Sequence, residues 1–128
     1  MNPQNIALVF AGAGTGGVVR MMLNHWLNPL FGPMPLGTLA ANVVGCGAAG
    51  ALLGLLGARA DLDPLLRPLL LVGFLGGLTT FSAYSLEVVQ SLDAQRVWLA
   101  TGIALVHVCA SVAAAIAGLL ATRALLTS

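Results

Sequence analysis

Four apolar stretches, each long enough to cross a bilayer as a helix, use up almost all of this 128-residue chain: roughly Ile6 to Leu27, Gly37 to Ala58, Leu69 to Val89 and Val97 to Leu120. Crossing a hydrocarbon core of about 30 Å takes about 20 such residues. The expected fold is therefore an all-α membrane protein, a single domain spanning residues 1–128. The breaks between stretches are short and have ordinary turn chemistry. Asn28, Pro29, Gly32, Pro33 and Pro35 mark the first, Arg59 to Pro64 the second, and Ser91 to Arg96 the third. No basic segment precedes the first stretch, so it reads as a membrane span and not as a signal peptide.

Composition agrees with the spans. At 59% hydrophobic and 7% charged, the chain has too little polar surface to cover a water-soluble globule. The five basic residues are all arginine and are scattered, which argues against a nucleic-acid partner. With the second loop and both termini on one side, Arg59, Arg67 and Arg123 face Arg96 and Arg20 across the membrane. That bias is modest: its ordinary reading is a chain with its N-terminus inside, and it is small enough to allow insertion in either direction. Cys46 and Cys109 lie in apolar runs without metal-ligand spacing and read as packing residues. No phosphate loop, HExxH or nucleophile elbow points to an enzyme.

Glycine pairs four residues apart, Gly12 with Gly16, Gly50 with Gly54 and Gly73 with Gly77, let helix backbones approach closely. Four thin helices enclose little interior, so self-association is the favoured use of these faces, with packing inside one chain as the alternative.

Polar side chains at membrane depth are costly, so each is a site hypothesis until a structural partner is named. The third stretch carries most of them. Gly73, Gly76 and Gly77 precede Thr79, Thr80, Ser82 and Ser85. Each glycine weakens a helix by up to about 1 kcal/mol relative to alanine, and hydroxyls satisfy backbone groups freed by a break. A helix broken near Gly76 to Thr79, with carbonyls turned to a cation, is expected; a continuous helix with glycine notches is the alternative. In the second stretch Thr38 and Asn42 share a face, and Asn42 either fixes helix register or turns its amide to an anion. His107 and Ser111 share a face of the fourth in the same way. Arg20 would cost about 2.5 to 3.5 kcal/mol at the centre of a span, so it belongs near an interface, either as a snorkelling anchor or at a vestibule that concentrates anions.

Three segments together, GAGTGGVVR (Gly12 to Arg20), GTLAANVVG (Gly37 to Gly45) and GFLGGLTTFSAYSLE (Gly73 to Glu87), resemble the Fluc (CrcB-type) fluoride channel family. The resemblance implies a passive fluoride channel of the cell inner membrane that exports the ion and relieves its toxicity. It implies an antiparallel dual-topology homodimer with two pores, the third helix broken near its middle. A structural sodium ion at the dimer centre would be held by the backbone carbonyls of Gly76 and Thr79. Asn42 matches the pore asparagine, Phe81 the first pore phenylalanine and Arg20 the vestibule arginine. Thr38, Thr80, Ser82 and Ser111 match polar pore positions. Two positions depart from the pattern: Tyr84 stands where a second phenylalanine is usual, and Ala115 where a further hydroxyl sometimes occurs.

The chemistry suits the ion. Fluoride holds its water tightly, so a selective pore replaces that shell with close, numerous donors. Uncharged amide and hydroxyl groups do this without trapping the ion, and aromatic edges add weak contacts. Two rivals remain at this stage. A small multidrug-type exporter would call for an early membrane carboxylate, where this chain has Arg20; a non-transporting membrane subunit would pass no ions at all.

Overall fold

The computed structural model of the chain describes residues 2–59 and 64–127. Among these residues the backbone is helical, and four helical spans, Pro3–Phe31, Leu36–Ala58, Arg67–Asp93 and Val97–Thr127, are long and apolar enough to cross a membrane. The chain is thus a multi-pass membrane protein. Exposed large apolar side chains such as Phe10, Val44, Leu105 and Val112 clothe the spans, as a lipid solvent requires.

Helix α1 (Pro3–Leu27) starts where the Asn2 side chain accepts the Gln4 amide, with proline in its first turn. It runs into a tight 3-10 turn, Asn28–Phe31, and the chain reverses at Gly32, whose φ of 57° is open to glycine. The Asn28 side chain then accepts the Gly37 amide at 2.7 Å, capping the start of α2 (Leu36–Ala58) in place of the side-chain acceptor that Pro35 lacks. The expected second loop, Arg59 to Pro64, lies outside the described residues at positions 60–63.

The third span is the irregular one. Arg67–Leu75 is wound in wide π-type turns, a single α turn follows as α3 (Gly76–Leu78), and Thr79 and Thr80 are extended (ψ of 153° and 126°). Gly76 and Gly77 are themselves helical. Helix resumes as α4 (Phe81–Asp93), and α5 (Val97–Thr127) completes the chain. The third loop is shorter than expected. Ser91 to Asp93 belong to α4, because buried Ser91 back-bonds to the Glu87 carbonyl at 2.8 Å and the turn closes only at Gln95, whose φ is 56°.

Helices α1 and the first half of the third span pack in parallel, as do α2 and α5, and α4 lies against α5. Glycine makes the closest approaches. A side chain added at Gly12 or Gly16 would strike the Leu69 and Phe74 carbonyls, and one at Gly77 would strike the Ala13 carbonyl. At Gly50 it would meet the Ala115 carbonyl, and at Gly54 the Thr122 and Leu119 atoms at 3.1 and 3.2 Å. The glycine pairs therefore pack helices within one chain, which corrects the expectation that they face a second copy. Helices in lipid lack a hydrophobic drive toward one another, so dispersion at close range takes its place.

Candidate functional site

The site is assembled around Thr79 and Thr80, where helical hydrogen bonding lapses in the middle of the third span. A backbone amide and carbonyl exposed at membrane depth cost several kcal/mol if left alone, on the order of the unpaired polar group in hydrocarbon. Asn42 answers both. Its Oδ1 accepts the Thr80 amide at 2.7 Å and its Nδ2 donates to the Thr80 carbonyl at 3.1 Å. Asn42 thus acts as a two-point clamp from α2, the register-fixing role that a membrane asparagine commonly has.

The hydroxyls nearby cap what Asn42 does not reach. Thr79 Oγ1 donates to the Leu75 carbonyl at 2.8 Å. Thr80 Oγ1 accepts the Ala83 amide at 3.2 Å, making Thr80 the N-cap of α4, and lies 3.1 Å from Ser82 Oγ. Ser85 Oγ donates to the Phe81 carbonyl at 2.8 Å. The lapse also creates a helix N-terminus inside the membrane, where unpaired amides and the helix dipole favour negative charge.

Beside this N-terminus lies a cleft of about 300 Å³ bordered by Asn42, Thr80, Phe81, Tyr84, His107 and Ser111. Phe81 is 77% exposed. Its ring sits 5.2 Å from that of Tyr84, tilted by 54°, and Tyr84 in turn stacks on His107 at 5.3 Å. No side chain bordering the cleft carries a full charge apart from what His107 acquires on protonation. The cleft therefore offers an anion uncharged donors and ring edges next to a positive helix end.

The other candidates lie apart. Thr38 is fully buried four residues before Asn42, and its hydroxyl donates to Glu87 Oε1, with Asn24 Oδ1 at 3.4 Å. Arg20, half-buried on α1, borders neither the Asn42 cleft nor the mouth cleft described next. Ser82 reaches Thr80 but is not on the cleft wall. Gly76 ends no helix; it is the first residue of α3, with open space where a side chain would stand.

A second cleft, of about 380 Å³, opens where the first and third loops meet, between Asn28, Pro35, Glu87, Gln90 and Arg96. Sequence reasoning left Glu87 without a role. The signal was there to be read: a carboxylate seven residues past Thr80 falls two turns along the same helix face, at the level of Thr38 on an antiparallel neighbour. His107 was read only as a partner to Ser111, yet it is almost fully buried and forms the floor on which Tyr84 rests.

The sequence profile described as CrcB-like protein, Camphor Resistance (CrcB), matches residues 7–119. Proteins named fluoride-specific ion channel FluC are similar over most of the chain. That of Desulfovibrio desulfuricans (strain ATCC 27774 / DSM 6949 / MB) is 41% identical over 108 residues, 84% of each chain. That of Dechloromonas aromatica (strain RCB) is 42% identical over 120 residues, 94% of this chain and 89% of its own. That of Burkholderia cenocepacia (strain J2315) is 40% identical over 125 residues, 97% of each. With a profile match over most of its length and relatives this close, the chain belongs to the CrcB-like family.

Proposed function

We propose that the chain is a passive, fluoride-selective ion channel, not an enzyme, which exports fluoride across the cytoplasmic membrane and so relieves its toxicity. One observation carries the reading. At membrane depth, Asn42, Thr80, Phe81, Tyr84 and Ser111 border a single cleft beside the N-terminus of α4, with no fixed charge among them. A small, strongly hydrated anion gains there from close donors and a positive helix end. A larger halide, with a looser shell and more bulk, gains less. Relatives that carry the name fluoride-specific ion channel FluC cover most of the chain, which supports the same substrate.

In this reading Asn42 holds the backbone of Thr80 so that the α4 N-terminus stays aimed at the ion. Thr80 and Ser111 hydroxyls replace water, Ser82 supports the Thr80 hydroxyl from behind, Phe81 and Tyr84 lend ring edges, and Thr38 extends the polar line toward the mouth. Arg20 draws anions to a vestibule. The extended Thr79 and Thr80 act as a true break in the third helix. The Gly76 carbonyl loses its usual helical donor, the Thr80 amide, to Asn42, and Thr79, whose amide still bonds to the Leu75 carbonyl at 2.9 Å, turns its own carbonyl out of the helix. These two oxygens suit a hard cation such as sodium, and among the described residues no group of three His, Cys, Asp or Glu competes for a metal. One chain supplies only part of a coordination shell, so a second, antiparallel copy completes it, and the weak arginine bias permits both orientations. Bound there, sodium would supply a fixed positive charge beside the anion path.

Purified protein in liposomes loaded with fluoride and chloride tests the function. Rapid fluoride efflux with chloride retained is expected; vesicles that hold their fluoride, or release both halides alike, would sink the reading. Gly76→Leu separates site from fold, because only the Leu71 carbonyl, at 3.9 Å, approaches that position within the chain. The folded monomer should persist while dimer assembly and sodium dependence fail.

A further inference from the structure

Two asparagines one turn apart, Asn24 and Asn28, reach from the end of α1 to the first turn of α2. They share a face, because the Asn28 amide still bonds to the Asn24 carbonyl in helical register. Asn28 Oδ1 accepts the Gly37 amide at 2.7 Å. Asn24 meets the next residue. Its side-chain oxygen is placed 3.4 Å from Thr38 Oγ1, beside Gly37, where a side chain would strike the Asn24 backbone. Thr38 is fully buried, and its hydroxyl is bonded to Glu87 Oε1 on α4. That is the one partner the Glu87 carboxyl group has among the described residues. A single hydroxyl therefore joins three helices.

Counting hydrogens decides how it does so. A threonine hydroxyl has one hydrogen to give and two lone pairs to accept with. Glu87 Oε1 and Asn24 Oδ1 both stand within reach of that hydrogen. The Glu87 contact is much the shorter and takes it, which leaves two oxygens facing each other at 3.4 Å with no hydrogen between them. The oxygen and nitrogen of a carboxamide exchange places in a half-turn that keeps the outline of the side chain. Turned over, Asn24 offers an N–H to the free lone pair of Thr38. The distance agrees: hydroxyl donors span about 2.5–3.0 Å and amide donors reach further, about 2.7–3.2 Å, so a contact of 3.4 Å lies nearer the amide range. The reverse order, with Thr38 donating to Asn24, needs a hydrogen on Glu87 itself.

We propose that Asn24 turns its NH₂ group to Thr38 Oγ1, so that hydrogen bonds run in one direction from Asn24 through Thr38 to Glu87, and that Asn24 is thereby a positioning residue that sets the Glu87 carboxyl group at the mouth cleft. Each bond in such a chain polarises the next, so removing the first weakens the last. Glu87 and Asn28 border the same cleft. The two asparagines of α1 thus fix two of its walls, Asn28 through its grip on the Gly37 amide and Asn24 through Thr38. The chain of bonds stands apart from the fluoride reading; its use, to hold a carboxyl group beside the path of an entering ion, rests on that reading.

Nuclear magnetic resonance on the full chain in micelles is the test. In the wild type, cross-relaxation from one Asn24 side-chain amide hydrogen to the Thr38 side chain is expected. That hydrogen should exchange with solvent about fivefold or more slowly than in Thr38→Val, which keeps the packing but offers no acceptor. Amide hydrogens directed away from Thr38, or protection unchanged in Thr38→Val, would overturn the proposal. Glu87 is the one glutamate in the chain, so carbon-labelled glutamate yields a single side-chain carboxyl signal. Asn24→Leu should shift that signal, whereas a residue that only packs α1 on α2 would leave it in place; an unmoved signal would overturn the positioning role. Should a variant fail to fold, the wild-type cross-relaxation decides alone. None of these readouts involves fluoride flux, so a failure here is distinct from a failure of the channel reading.

Discussion

Two of the seams in this bundle meet at the third span, and they work by opposite means. Between α1 and the third span the contact is glycine on backbone: Gly12, Gly16, Gly73 and Gly77 remove side chains so that main chains touch. Between α2 and the same third span the contact is polar: Thr38 to Glu87, and Asn42 to both backbone groups of Thr80. The first seam has no directionality and tolerates no added atom. The second depends on a few oriented groups and leaves space beside them, which is where the clefts lie. In lipid, where apolar surface gives helices no reason to associate, close packing supplies adhesion and polar bonds supply register. A site for an ion belongs on the second kind of seam.

The largest effect should come from the glycine seam. Gly16→Leu drives a side chain into the Phe74 carbonyl and the Leu78 amide, neither of which can move aside. A destabilisation at or beyond the top of the usual overpacking range of about 1–3 kcal/mol is expected, seen as lost monodisperse protein in detergent. A well-folded Gly16→Leu protein would mean that this seam is not closed as described.

Next comes the polar seam. Asn42→Ala strands the Thr80 amide and carbonyl, each worth about 1–3 kcal/mol when buried without a partner. Both thermal stability and fluoride efflux should fall. Stability lost with normal efflux would confine Asn42 to the clamp and remove it from the ion path.

Phe81→Ile sharpens the contrast from the other side. Phe81 is largely exposed and holds no helix in place, so efflux should drop by about tenfold or more, about 1.4 kcal/mol, while the unfolding midpoint barely moves. Equal loss of both would make Phe81 a packing residue. Thr38→Val should be milder, removing one hydroxyl bonded to Glu87 at a cost of about 1 kcal/mol. The smallest effect is expected at Gly14, which has nothing within 4 Å of a would-be side chain. Gly14→Ala should stabilise α1 by about 0.5–1 kcal/mol, and destabilisation there would reveal a contact across this face.

The amount legible in advance follows from the range of each interaction. Hydropathy is a local property summed over about 20 residues, so the four spans could be read directly, and the Asn-Pro and Pro-Gly punctuation located the first loop. Asn42 and Thr80 could each be marked as costly, because an amide or hydroxyl in lipid is costly wherever its partner lies. The third loop was placed too early because Ser91 looks like a loop residue in sequence, yet a serine in lipid returns its hydroxyl to its own helix.

What only the tertiary structure decided is which polar group meets which. Small-xxx-small spacing states that something comes close but not what, and it was the parallel packing of α1 on the third span that turned those glycines inward. The same holds for Asn42, Glu87 and His107. Sequence determined that lipid-depth polar groups must be satisfied, since hydrocarbon offers them nothing. Partner choice depends on helix register across tens of residues, and single-chain periodicity does not carry that information.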